Sequence, residues 1–90
     1  MYQQDERNKE YVTFHCELPE AKSVFLVGDV NRERWRIPMR RRRGSWEVSV
    51  KLSMGWFFYS LEVDGRATWD RDAGRVRARG GQDCSLALIA

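Results

Sequence analysis

The sequence predicts an all-β protein, an antiparallel β-sandwich of about seven short strands. Three observations carry that expectation. Apolar and polar residues alternate with period two in several segments, turn-forming Gly, Pro and Asp-Gly pairs separate those segments, and no stretch keeps a helical period. A chain of 90 residues supports one domain with one core. Such a domain buries roughly 60–65% of the surface its unfolded form exposes, which leaves no room for a deep catalytic cleft.

Residues 1–9 are polar and unpatterned and read as a flexible tail, leaving 10–90 as the domain. From Tyr11 to Leu18 the alternation is clean, with Val12, Phe14, Cys16 and Leu18 on one face and Thr13, His15 and Glu17 on the other. Pro19 ends that strand because it has no N–H to give to a ladder. Ser23–Gly28 is a second strand, rich in β-formers. Asp29–Arg36 reads as a polar loop presenting Trp35, followed by a short edge strand over Ile37–Arg41. Arg40–Arg43 with Gly44-Ser45 reads as a charged turn. Trp46, Val48, Val50 and Leu52 define the next strand, and Ser53-Met54-Gly55 is read as its hairpin connection to the aromatic strand that follows. That strand runs into a tight Asp64-Gly65 turn. Residues 66–82 read as loop with a short strand near Thr68, and Cys84–Ile89 closes the sheet.

Composition narrows the function classes. The net charge of +3 comes from 16 basic and 13 acidic residues, too modest a balance to demand nucleic acid. Arginines 32, 34, 36 and 40–43 nevertheless crowd twelve residues, offset there only by Glu33. They read as a solvated face protecting a sheet edge, with phosphate binding as the functional alternative. No stretch approaches the length of a membrane span, and the charged N-terminus lacks the pattern of a secretory signal, so a cytoplasmic location is expected. Cys16 and Cys84 read as packed thiols, with a disulfide as the alternative if their strands are neighbours. His15 and Cys16 point to opposite faces of one strand and fit no metal spacing, so neither a metal nor another cofactor is expected. The sole histidine lies mid-strand, and no motif positions a nucleophile or a pair of carboxylates about a cleft. The chain therefore reads as a non-enzyme.

The feature that calls for a function is the stretch Gly55–Asp70. Tyr59, Leu61 and Val63 can be buried on one face, leaving Trp56, Phe58 and Ser60 on the other, with Trp69 just beyond the turn. Large aromatics on an outer strand face mark interaction surfaces.

In order and spacing, SVFLVGDVNRERWRIPM (23–39), GSWEVSVKLSMGWFFYSLEVDGRATWD (44–70) and GGQDCSLAL (80–88) resemble the isoamylase N-terminal, early-set immunoglobulin-like domains. These include the family 48 carbohydrate-binding modules and the glycogen-binding domain of the AMP-activated kinase β subunit. The resemblance implies an early-set immunoglobulin-like sandwich that binds α-glucan and works beside a separate glycan-active enzyme. It also implies that Trp35 is the counterpart of the family's first stacking tryptophan. Ser60 stands where the family uses a lysine and Ala67 where it has a second tryptophan, with Trp69 two residues later. The polar residues of the late loop fall at Gln82 and Asp83.

A sugar site needs an aromatic platform for C–H faces and hydrogen-bonding groups at its rim. Trp35, Trp56, Phe58 and Trp69 are the candidate platform, and Ser60, Arg66, Gln82 and Asp83, with Asn31 and Asp70, the candidate rim. An open site of this kind binds with about −4 to −7 kcal/mol, a Kd of roughly 10 µM to 1 mM. The alternative occupant of the same face is a protein partner or a second copy of the chain, giving a homodimer.

Overall fold

The computed structural model describes residues 2–8, 10–30, 33–52, 55–71, 73, 75–77 and 83–89. Period-two alternation becomes strand wherever one face can be buried, and among these residues there are ten strands and no helix. They are β1 (Tyr2–Gln4), β2 (Tyr11–Glu17), β3 (Val24–Val30), β4 (Glu33–Pro38), β5 (Arg40–Arg42), β6 (Ser45–Lys51), β7 (Gly55–Val63), β8 (Arg66–Thr68), β9 (Val76–Arg77) and β10 (Asp83–Ile89). The first sheet has the order β1-β2-β6-β5, the second β4-β3-β7-β10-β9 with β8 alongside β7, and every pairing is antiparallel.

The core lies between the sheets. Val12, Phe14, Cys16 and Trp46 come from the first, and Val24, Leu26, Phe57, Tyr59, Leu61, Ala87 and Ile89 from the second. Phe14 and Tyr59 meet edge to face at 4.9 Å between ring centres, a geometry the ring quadrupoles favour. Trp46, which opens the alternation of β6, is buried and donates from Nε1 to the Leu18 carbonyl at 3.1 Å.

Two tight turns set register. Asp64 and Gly65 both have positive φ (49° and 85°), as the two-residue hairpin between β7 and β8 requires, and Arg43 with Gly44 repeats the geometry between β5 and β6. The Asp64 carboxylate also accepts hydrogen bonds from the backbone N–H groups of Ser23 and Lys22, each at 2.8 Å. Those bonds hold its pKa below the ordinary carboxylate value and fasten the chain entering β3 to the β7–β8 turn.

The structure corrects four expectations. Part of the supposed tail is strand: β1 pairs with β2, the Tyr2 ring packs on Phe14 and Tyr59 at 6.1 and 6.3 Å, and its hydroxyl accepts a bond from Leu88 N at 3.1 Å. One tyrosine that reaches both sheets suffices to order three residues. Of the supposed loop over 29–36, residues 29–30 and 33–36 are instead paired strand, in β3 and β4. Next, β6 and β7 lie in different sheets, so the chain crosses the sandwich between them rather than turning back in a hairpin. Finally, the arginine segment is divided between sheets, β4 ending the second and β5 the first, with Met39 buried at the switch and its N–H bonded to Val24 O at 2.8 Å. Cys16 and Cys84 are both buried, on strands that are not ladder neighbours.

Candidate functional site

Because β7 is central in the second sheet, its outward residues form the middle of an open face. Trp56 and Phe58 project there at two-residue spacing, about 6.8 Å along the strand, and are 65% and 43% exposed. Their ladder partners on β10 are Leu88 and Leu86, of which Leu88 is 48% exposed. The four side chains make one apolar platform. Ser60 follows on the same face, half-buried beside its partner Val27.

Past Ser60 the face becomes polar. The Arg36 guanidinium lies 3.5 Å above the Phe25 ring and grips Glu62 with two hydrogen bonds, Nη2–Oε1 at 2.6 Å and Nε–Oε2 at 3.2 Å. The hydrogen-bonded guanidinium holds the Glu62 carboxyl below its usual range, and the Glu62 carboxylate in turn raises the pKa of Arg36. Ala67, across from Glu62, belongs to this outward face as well. The positions that correspond to the family's lysine and second tryptophan, Ser60 and Ala67, therefore share a face with Trp56 and Phe58.

The other candidates lie elsewhere. Trp35 sits on β4 opposite Gly28, whose other ladder partner is the buried Tyr59, so its indole faces the core. A Cβ at residue 28 would lie 2.3 Å from Trp35 Cζ2; glycine is what lets the ring lie flat against the strand. Trp69 follows β8, half-buried beside Leu18 and Leu61 and flanked by the guanidiniums of Arg71 and Arg75 at 5.0 and 5.3 Å from its ring centre. β4 and β8 are three inter-strand steps apart, about 14 Å, so Trp35 and Trp69 do not form one platform. Arg66 is exposed on β8, and Asp83 opens β10 within reach of Arg75 and Arg77 at 4.0 and 3.9 Å. Gln82 and Asn31 lie outside the described residues.

Asp70, expected at the rim, is instead 3% exposed and structural. Tyr59 donates its hydroxyl hydrogen to Asp70 Oδ2 at 2.8 Å, while Ser85 Oγ accepts from Asp70 N at 2.9 Å and donates to Asp70 O at 3.2 Å. An inward tyrosine needs a hydrogen-bond partner, and that need was the only sequence signal for this arrangement. Leu86 and Leu88 were also missed, although the alternation Ser85, Ala87, Ile89 against Leu86, Leu88 marks two faces.

Comparison with known proteins agrees with the fold. The family model for carbohydrate-binding module 48 (isoamylase N-terminal domain) matches residues 2–79. Among solved structures, the pullulanase of Anoxybacillus sp. LM18-11 complexed with maltotetraose superposes with a TM-score of 0.72 at 22% identity over 90% of this chain. The Bacillus subtilis type I pullulanase complexed with maltose gives 0.73 at 20% identity over 90%. The Paenibacillus barengoltzii pullulanase, in complex with maltohexaose and α-cyclodextrin, gives 0.64 at 25% identity over 84%. The chain spans only 12–13% of the length of these pullulanases. A search of curated protein sequences found no match.

Proposed function

The chain belongs to the carbohydrate-binding module 48 (isoamylase N-terminal domain) family, and from that premise we propose that it is a non-catalytic module binding α-glucan across the outward face of its second sheet. Trp56 and Phe58 form the stacking platform, Ser60 stands at its edge, and the Arg36–Glu62 pair supplies polar groups at the far end. The observation that carries this reading is the exposure of two aromatic rings at adjacent outward positions of a central strand. Pyranose C–H faces pack well on such exposed rings. The titre of hydroxyl partners is small, so affinity stays in the range of roughly 10 µM to 1 mM.

The module would serve a separate glycan-active enzyme by holding polymer near it. The maltooligosaccharide-bound pullulanases that share its fold support this reading. Calorimetric titration with maltoheptaose tests it. The wild-type chain should bind saturably, and Trp56→Ala with Phe58→Ala should weaken binding by about 2–3 kcal/mol, beyond detection from so low a start. Unchanged affinity in the double variant would refute the platform.

A second reading rests on Leu86 and Leu88. Two aliphatic side chains beside two aromatics suit a protein surface, including a second copy of the chain. Sedimentation would then show a mass that rises with concentration and falls in the same double variant.

A further inference from the structure

Apart from Arg36, the arginines are the sequence feature that a neutral glucan platform leaves unused, and the fold gathers two groups of them at one end of the sandwich. Leu18 and Pro19 form the seam between the groups. On one side, Arg41 donates from Nη2 to Pro19 O at 2.9 Å, and exposed Arg42 and Arg43 continue into the turn. On the other side a hollow of about 310 Å3 opens beyond Leu18, with Glu17, Thr68, Trp69 and Arg71 in its wall. Arg71 and Arg75 both lie against the Trp69 indole. Arg75 and Arg77 share one carboxylate, Asp83, at the long limit of an ion pair. Among the described residues, two arginines share this one carboxylate, which leaves positive charge in excess. Cation–π contact with the indole also restrains the Arg71 and Arg75 guanidiniums before any ligand arrives, so less freedom is lost on binding.

We propose that this end of the sandwich is a phosphate-ester subsite, in which Arg71 and Arg75 bind a phosphate carried by the glucan while an adjoining sugar occupies the hollow beside Trp69. The inference rests on the α-glucan reading above. Guanidinium forks match phosphate oxygens with paired hydrogen bonds. Glu17 selects among anions. A carboxylate in the wall repels a continuous phosphate backbone, as like charges across an interface do. The same carboxylate accepts hydrogen bonds from sugar hydroxyls. An isolated phosphate on a hydroxyl-rich chain meets both conditions and a nucleic acid meets one. The subsite lies at the end of the sandwich rather than on the platform's face: Thr68 pairs with the inward Leu61, three residues or about 10 Å along β7 from the outward Phe58, so a bound glucan would turn the sheet edge between them.

The test compares maltoheptaose, the same oligosaccharide carrying a phosphate monoester, and a single-stranded oligonucleotide, each titrated into the wild-type chain and into Arg71→Gln with Arg75→Gln. The phosphorylated sugar should bind about tenfold tighter than the neutral one at low salt. That gain should vanish in the double variant and shrink in about 0.5 M salt, while neutral binding changes in neither case. Equal binding of the two sugars overturns the subsite and leaves the glucan reading standing. Binding of neither sugar overturns both. An oligonucleotide that binds more tightly than the phosphorylated sugar, with loss in the same variant, assigns the arginines to nucleic acid and overturns the proposal.

Discussion

The two sheets share one core and treat their outward faces differently. On the first sheet outward polar side chains pair with one another, with Tyr11 the one large exposed ring of that sheet among the described residues: Thr13 and Ser49 hydrogen-bond at 2.8 Å, and Arg42 reaches Glu47 at 3.6 Å. On the second, Trp56, Phe58 and Leu88 stay exposed although the strand beneath them is central. A fold needs one apolar face per sheet. A second apolar face on a single sheet contributes nothing to the core and carries the cost of contact with water, so it points to a partner. The same distinction separates the tryptophans: Trp46 and Trp35 belong to the core, Trp56 to the outside.

The sharpest way to break that contrast is to truncate one tryptophan of each kind. Trp35→Ala should destabilise the fold by about 2–3 kcal/mol in urea unfolding, because it removes the ring covering β3. Trp56→Ala should change stability by less than about 0.5 kcal/mol. Equal costs would mean that the outward face is structural. Gly28→Ala follows at about 1–3 kcal/mol, since a Cβ there meets the Trp35 indole at 2.3 Å and the ring must move. If Trp35 stacked on ligand from outside, this variant would lose binding with its stability intact.

Those variants also show what could be read in advance. The strands β2, β6 and β7, the Asp64-Gly65 turn and the buried Trp46 were legible because each rests on local alternation or on turn chemistry. Trp35 was misplaced because its arginine neighbours resemble a loop. Yet Arg34, Trp35, Arg36 and Ile37 alternate, and the structure turns the arginines outward and the apolar residues inward. The sheet change between β6 and β7 left no local trace, since each strand has a core face whichever sheet it joins. The platform was half legible. Trp56 and Phe58 stood out, but their partners Leu88 and Leu86 are thirty or so residues away and depend on ladder register. Arg71 and Arg75 gather at Trp69 through tertiary contacts of a polar segment without pattern.

A smaller effect is expected at the N-terminus. Tyr2→Ala removes the ring packed on Phe14 and Tyr59 and should cost about 1–2 kcal/mol by thermal unfolding. No change would return residues 2–4 to the status of a tail. Smallest of all is the acid dependence. In the folded chain Asp64 and Glu62 titrate below their ordinary range, the first through backbone N–H groups and the second through Arg36. Their stabilisation is complete above the unfolded carboxylate pKa and disappears as pH falls through the lower folded values. Asp64→Asn should therefore lower stability at neutral pH and flatten its decline between about pH 4 and 3. An unchanged acid limb would show that the Asp64 bonds to Ser23 and Lys22 contribute nothing.

The most direct test of the outward-face account is an NMR titration with maltoheptaose, with a cello-oligosaccharide as control. The Trp56 indole signal should shift saturably with the α-glucan alone, while those of the core-facing Trp46 and Trp35 stay in place. Trp56 unmoved at millimolar sugar, or shifts centred on Trp35, would contradict the account.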